Sequence, residues 1–149
     1  MNIDNQLIVI KTPKNNKFLA VIDLDKEFTT NEGKFKFSQI KNIPSIVKTS
    51  TGVKFKIYKP AYKEFVLLMK RGPQIIYPKD VAQIVLESNI HNSSKVLEIG
   101  SGSGALTLYL YTILKNTGVL YSLDSSKINQ RRADKTISRY ISTLSDKSN

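Results

Sequence analysis

The chain has 149 residues, of which 40% are apolar, with 23 Lys plus Arg against 12 Asp plus Glu, one His and no Cys. That apolar share supports a real core and excludes a wholly disordered chain. The absence of Cys and the single His exclude a Cys/His metal site, a disulfide framework and thiol catalysis, so no metal is expected. His91 lies in the polar stretch Asn89-Ile90-His91-Asn92-Ser93-Ser94 and reads as a solvated turn residue, which argues against a Ser-His-Asp relay.

No apolar run approaches the ~18 residues of a membrane span and no signal peptide opens the chain, so the reading is soluble, cytoplasmic and without membrane contact. The formal net charge is +11; residues 1–60 hold 11 Lys and 5 acids (+6), and residues 61–149 hold 12 basic and 7 acidic side chains (+5). The excess is spread over both halves, and a field of this sign attracts polyanions, nucleic acid first among them.

In chain order, residues 1–60 read as a small β domain. Leu7-Ile8-Val9-Ile10 and Phe18-Leu19-Ala20-Val21-Ile22 are compact apolar runs bounded by Asn, Asp, Pro and Lys. Gly33 opens the alternating stretch Lys34-Phe35-Lys36-Phe37, and Ser45-Ile46-Val47-Lys48 leads through the turn Thr49-Ser50-Thr51-Gly52 to a return strand. The period of two in that strand puts Val53, Phe55 and Ile57 on one face and Lys54, Lys56 and Tyr58 on the other. The lysine face is either a wet strand face or a phosphate-contacting one.

From Pro60 the period changes. Tyr62, Phe65, Val66 and Met69 form a helical stripe within residues 61–70. The connector Arg71-Gly72-Pro73-Gln74-Ile75-Ile76-Tyr77-Pro78-Lys79-Asp80 follows, with Pro78 placed for a first helical turn. A helix along Val81, Ile84 and Val85 should stop by residues 89–92. A buried-looking strand Lys95-Val96-Leu97-Glu98-Ile99 then meets Gly100-Ser101-Gly102-Ser103-Gly104. A helix from about Ala105 to Lys115, a strand Val119-Leu120-Tyr121-Ser122-Leu123, Asp124, and a helix over residues 127–144 complete the pattern, with residues 145–149 a polar, frayed end.

Strand, glycine turn, helix and a second strand ending in an acid form a nucleotide-binding half-fold. Glycines admit a ligand close to the backbone, and a helix N-terminus offers free amides. Asp124 stands 24 residues after Gly100, close to the spacing of an acid that holds ribose hydroxyls. The spacing is G-x-G-x-G with Glu98 ahead of it, and no Gly-Lys-Ser/Thr follows. A carboxylate there repels pyrophosphate and suits a cationic ligand; S-adenosylmethionine, with its amino group and sulfonium, fits. Glu98 could equally be a local capping or solvent-facing acid.

The segments Met69-Lys70-Arg71-Gly72-Pro73-Gln74-Ile75-Ile76-Tyr77-Pro78-Lys79-Asp80 and Val96-Leu97-Glu98-Ile99-Gly100-Ser101-Gly102-Ser103-Gly104-Ala105-Leu106-Thr107-Leu108 closely resemble the tRNA (adenine-58) N1-methyltransferases, especially their archaeal and bacterial branch. The resemblance covers roughly residues 30 to 135 and implies an α/β fold. In it, a small N-terminal β domain (1–60), which would help grip tRNA, precedes the first part of a class I, Rossmann-like S-adenosylmethionine-dependent methyltransferase domain (61–149). It further implies that Glu98, Gly100, Ser101, Gly102, Ser103, Gly104 and Ala105 form the methionine-side pocket, that Gln74 touches the cofactor, and that Asp124 holds the ribose where the family more often has Glu. Tyr77 would border the adenine pocket, and Lys54 and Lys56 would meet the tRNA. Ser126 and Thr136 stand where the family often has Arg and Asn.

The resemblance also implies that the family's catalytic acid lies beyond residue 149, so no catalytic residue is assigned. The expectation is then a truncated or split methyltransferase, in which a second chain could supply the missing half; homo-oligomers are expected for the full-length family. The alternatives are a non-catalytic tRNA- or S-adenosylmethionine-binding subunit, or a remnant.

Overall fold

A computed structural model of the chain describes residues 3–70, 74–115 and 117–144. Arg71, Gly72 and Pro73 of the connector, and the polar end at residues 145–149, lie outside the described residues. Two compact units divide the chain, the first running through Leu68 and the second covering Met69–Ile141.

In the first unit, β1 (Leu7–Lys11), β2 (Lys17–Val21), β5 (Ser45–Lys48) and β6 (Lys54–Tyr58) form an antiparallel sheet in the order β2-β1-β6-β5. A separate hairpin pairs β3 (Glu27–Thr30) with β4 (Gly33–Lys36), and a 3-10 turn takes Phe37–Gln39. The alternation expected for β6 is observed: Phe55 and Ile57 are buried, while Lys54 and Lys56 are exposed. Ile8, Ile10, Val47, Phe55 and Ile57 from the sheet meet Phe35 from the hairpin and Phe37 from the 3-10 turn in one core. Phe35 lies edge-on to Phe55, ring centroids 6.2 Å apart, so the hairpin seats on the sheet through aromatic packing. The strand β3 has no counterpart in the sequence reading, because Glu27-Phe28-Thr29-Thr30 offers one large apolar residue in four and no period to detect.

The helix α1 (Tyr62–Leu68) belongs to this unit and packs on β2. Its Glu64 joins three elements, accepting hydrogen bonds from Lys17 Nζ of β2 and from the Tyr58 hydroxyl of β6 at 2.9 Å. Partial burial opposes ionisation of Glu64, yet the bonds from Lys17 and Tyr58 outweigh it and hold the carboxyl below its ordinary range. The hydrogen bond to Glu64 holds Lys17 above its own range.

The second unit contains α2 (Pro78–Glu87), β7 (Lys95–Ile99), α3 (Ala105–Leu114), β8 (Val119–Leu123) and α4 (Lys127–Leu144). Pro78 is the first residue of α2, as its fixed φ and missing donor allow. β7 and β8 run parallel, with Lys95 opposite Val119 and Ile99 opposite Leu123. α3 packs on β8. The expectation that the 95–99 strand is buried holds for one face only. Glu98 is buried, but Leu97 is 59% and Ile99 82% exposed, and Tyr121 and Leu123 beside them are exposed too. Parallel sheets normally carry helices on both faces; among the described residues this pair is covered on one.

Glu64 supplies a test of the first unit. Because its pKa is lowered by folding, its contribution is complete above the ordinary Glu value of about 4.3 and is lost as pH falls through the folded value. The Lys17 contribution has the opposite sign: complete below about 10.4 and lost as pH rises through its raised value. Glu64→Gln should therefore lower the thermal midpoint by a few degrees at neutral pH and match the wild type in acid. A pH-independent difference in scanning calorimetry would show that packing, and not the charge, joins α1 to the sheet.

Candidate cofactor site

The loop after β7 is shaped by three glycines with left-handed φ: Gly100 at 95°, Gly102 at 53° and Gly104 at 78°. Side chains with a Cβ adopt such angles at a cost. The amides of Gly100 and Ser101 both donate to the Leu123 carbonyl, at 2.7 and 3.1 Å, which ties the start of the loop to the end of β8. Gly104 N donates to Ser101 O at 2.8 Å, and Leu108 N to Gly104 O at 2.9 Å, so the loop runs directly into α3.

The glycines do different jobs. A Cβ at Gly100 would meet nothing within 4 Å, and one at Gly102 would meet only Gly100 O at 4.0 Å. Space therefore lies open beside this backbone for a ligand to come close. A Cβ at Gly104 would instead sit 2.8 Å from Ala133 Cα, so this glycine lets α3 start against α4.

Asp124 follows β8 and reaches back to the loop. Its Oδ2 accepts from Gly102 N at 2.9 Å, and its Oδ1 from Ser126 N at 2.8 Å and Asn129 Nδ2 at 3.4 Å. The bonds from the Gly102 and Ser126 amides hold this carboxyl below its ordinary range. Asp124 is thus ionised at neutral pH and bridges the glycine loop to the first turn of α4.

Glu98 is neither capping nor solvent-facing. It is buried, and its Oε2 accepts from Thr107 Oγ1 of α3 at 2.6 Å and from Ser122 Oγ of β8 at 2.5 Å. Both hydroxyls converge on one oxygen, leaving Oε1 as the remaining acceptor for a cationic group. Beside these hydroxyls a cavity of about 240 Å³ is lined by Ser101, Thr107, Ser122, Gln130, Ala133, Asp134 and Ile137. The Ser101 hydroxyl is buried there without a hydrogen bond of its own, although it lies near enough to Asp124 to favour the ionised acid.

Glu98, residues 100–105 and Asp124 are brought together as one loop-and-strand-end assembly, with Ser103 and Ala105 buried where the loop enters α3. Gln74 is exposed on the connector, and Tyr77 is the residue preceding Pro78 at the start of α2, 43% exposed. Lys54 and Lys56 are on β6 of the first unit. The sequence reading did not single out Thr107, Ser122, Asn129 or Gln130. Ser122 becomes visible only through the strand register that sets it opposite Glu98, and Thr107 follows the glycine motif as the third residue of α3.

The two kinds of glycine separate experimentally. Gly104→Val should destabilise by about 2–4 kcal/mol, through left-handed strain together with overpacking against Ala133. Gly100→Val, with open space beside it, should cost only the backbone strain, about 1–2 kcal/mol. Chemical denaturation of the two variants checks this, and equal losses would contradict the packing role of Gly104.

Known proteins resemble this chain over more than half of its length. The family described as "tRNA methyltransferase complex GCD14 subunit" matches residues 57–144. The tRNA (adenine(58)-N(1))-methyltransferase TrmI of Thermus thermophilus is 30% identical over 92 residues, 62% of this chain and 36% of its own. Two crystal structures share the fold. One, the tRNA (m1A58) methyltransferase TrmI of Aquifex aeolicus, has a TM-score of 0.78 at 29% identity, over 93% of this chain and 53% of that one. The other, a SAM-dependent O-methyltransferase of Thermotoga maritima, has a TM-score of 0.89 at 22% identity, over 96% and 54%. The chain therefore spans about a third of the curated relative and about half of the solved chains. With its glycine loop and connector inside the matched segment, the chain belongs to the GCD14/TrmI tRNA methyltransferase family.

Proposed function

We propose that this chain provides the cofactor-binding half of an enzyme that transfers a methyl group from S-adenosylmethionine to N1 of adenine 58 in tRNA, in the cytoplasm. The observation that carries the reading is the open backbone at Gly100 and Gly102, set between the buried carboxylate of Glu98 and the ionised carboxylate of Asp124. In this reading residues 61–149 hold the cofactor and the β domain, residues 1–60, grips the tRNA, with Lys54 and Lys56 among its contacts.

The bound cofactor supplies an electrophilic methyl group on sulfur. Glu98 favours the positive charge of the methionine end, residues 100–105 let the backbone approach it, and Asp124 accepts hydrogen bonds from ribose hydroxyls while holding Gly102 in place. Gln74 would contact the cofactor, and Tyr77 would border the adenine. Transfer would need the N1 lone pair in line with the sulfur–methyl bond to be broken, and would leave a neutral thioether and a positive base. Alignment of the two reacting atoms supplies much of the rate, and no acid of this chain is assigned to the base.

The exposed apolar face of Leu97, Ile99, Tyr121 and Leu123 favours a second element of the reading. This face is covered by further polypeptide corresponding to the part of the relatives that the chain does not span, in this protein or in a second chain; in the second case the complete enzyme is an oligomer. The same face suits the alternative of a non-catalytic subunit that binds tRNA or cofactor.

Two measurements test the proposal. Calorimetric titration with S-adenosylmethionine should show binding that Gly102→Val weakens at least ~10-fold, since a side chain there blocks backbone approach; unchanged affinity in the folded variant contradicts the loop assignment. The chain alone should transfer no methyl group to unmodified tRNA, whereas the chain joined by a polypeptide equivalent to the remainder of its relatives should yield 1-methyladenine at position 58. Transfer at another position, or none from a complex that binds the cofactor, would favour the subunit reading.

A further inference from the structure

The two carboxylates beside the glycine loop are hydrogen-bonded in opposite ways. Asp124 has a backbone amide on each oxygen, Gly102 N on Oδ2 and Ser126 N on Oδ1. Glu98 has both of its donors, Thr107 Oγ1 and Ser122 Oγ, on Oε2. Among the described residues none donates to Oε1. The residue as a whole is buried, yet Oε1, unlike the Ser101 hydroxyl, is not sealed from its surroundings.

A carboxylate held only for the sake of the fold gains most by spreading its donors over both oxygens, because unmet lone pairs in a buried site carry a desolvation cost. Glu98 forgoes that. Its two hydroxyl partners lie 3.4 Å from each other, and each has a single proton, already given to Oε2. They come from different elements, Thr107 from α3 and Ser122 from β8, where it pairs with Glu98. The last torsion of a glutamate is otherwise broad. Two donors fixed on one oxygen therefore set the plane of the carboxyl group, and with it the position of Oε1, before any ligand arrives.

We propose that Thr107 and Ser122 are positioning residues for the cofactor: by holding Oε2 they aim Glu98 Oε1 at the α-amino group of S-adenosylmethionine and make the site selective for ligands with that group. The proposal rests on the cofactor reading above and deepens it from a pocket of suitable charge to a contact on one oxygen. An ammonium group has three protons and no acceptor, which suits an oxygen with lone pairs and no donor. The sulfonium has no proton to donate, so of the two positive centres of the cofactor only the amino group can hydrogen-bond to Oε1.

Two ligands isolate this contact. In S-adenosylhomocysteine the sulfur is neutral and the amino group is the only cation; its deamino analogue lacks that group alone. Calorimetric titration of the whole chain with each gives a ratio of affinities. The wild type should favour S-adenosylhomocysteine by at least ~10-fold, the scale of one charge-assisted hydrogen bond. Glu98→Gln should lose most of this preference. Thr107→Val and Ser122→Ala should each lower the ratio by about 3- to 5-fold, and Thr107→Ser, which retains the hydroxyl, should keep it.

A drop in the folded fraction scales both affinities alike and leaves their ratio unchanged. Hydroxyls that only support the fold would therefore give the wild-type ratio in every hydroxyl variant. That result overturns the positioning role, and with the wild type still binding it leaves the cofactor reading in place. A wild-type ratio near one, or a ratio that Glu98→Gln does not lower, puts the amino group elsewhere and overturns the proposal as well. Binding of neither ligand by the wild type overturns the cofactor reading itself, and the positioning role with it.

Discussion

The in-register parallel pairing of β7 with β8 is the constraint on which the candidate site depends. Because Glu98 falls opposite Ser122 and Ile99 opposite Leu123, the two strands end side by side. The loop leaving β7 therefore finds the Leu123 carbonyl ready to accept its first two amides, and Asp124 ready to accept a third from Gly102. A shift by one residue would carry Glu98 from the covered face to the open one and separate Asp124 from Gly102. Five residues of paired strand thus fix both carboxylates of the site.

The two carboxylates are held in different ways, and the difference suits them to different tasks. Glu98 is buried between neutral hydroxyls that converge on one oxygen, a setting that favours a cationic partner on the other. Asp124 accepts one backbone amide on each oxygen and so anchors the glycine loop to the start of α4. In the first unit Glu64 does comparable work, tying two strands and a helix together through Lys17 and Tyr58. Among the described residues, Lys26 and Lys34 of the same unit have acidic partners of their own, Asp23 and Glu27.

Much of the second unit was legible in the sequence because its signals are local. Pro78 marked the start of α2, the G-x-G-x-G spacing marked the turn between β7 and α3, and Asp124 stood at the end of the next strand. What pairing alone creates was not legible. The hydroxyls of Thr107 and Ser122 meet Glu98 only after β7, α3 and β8 are assembled. The hairpin strand β3 escaped for a different reason, since it is held by Phe28 among Phe18, Phe35 and Phe37 and has no pattern of its own. The apolar run at 95–99 reads as buried without telling which face is covered; Glu98 is buried, and Leu97 and Ile99 face outward.

The central claim is that Asp124, held ionised by the loop it binds, fixes the glycine turn in a shape open to a cofactor. Hydrogen exchange at the Gly102 amide, followed by NMR in the ligand-free chain, tests it most directly. Protection should be present at neutral pH, should persist as pH falls through the ordinary Asp range, and should be lost only below it, because the folded carboxyl titrates lower. In Asp124→Ala the Gly102 amide should exchange freely while amides of β7 and β8 remain protected. A Gly102 amide that exchanges at the rate of an unstructured peptide in the wild type, or one whose protection survives loss of the carboxylate, would contradict the account.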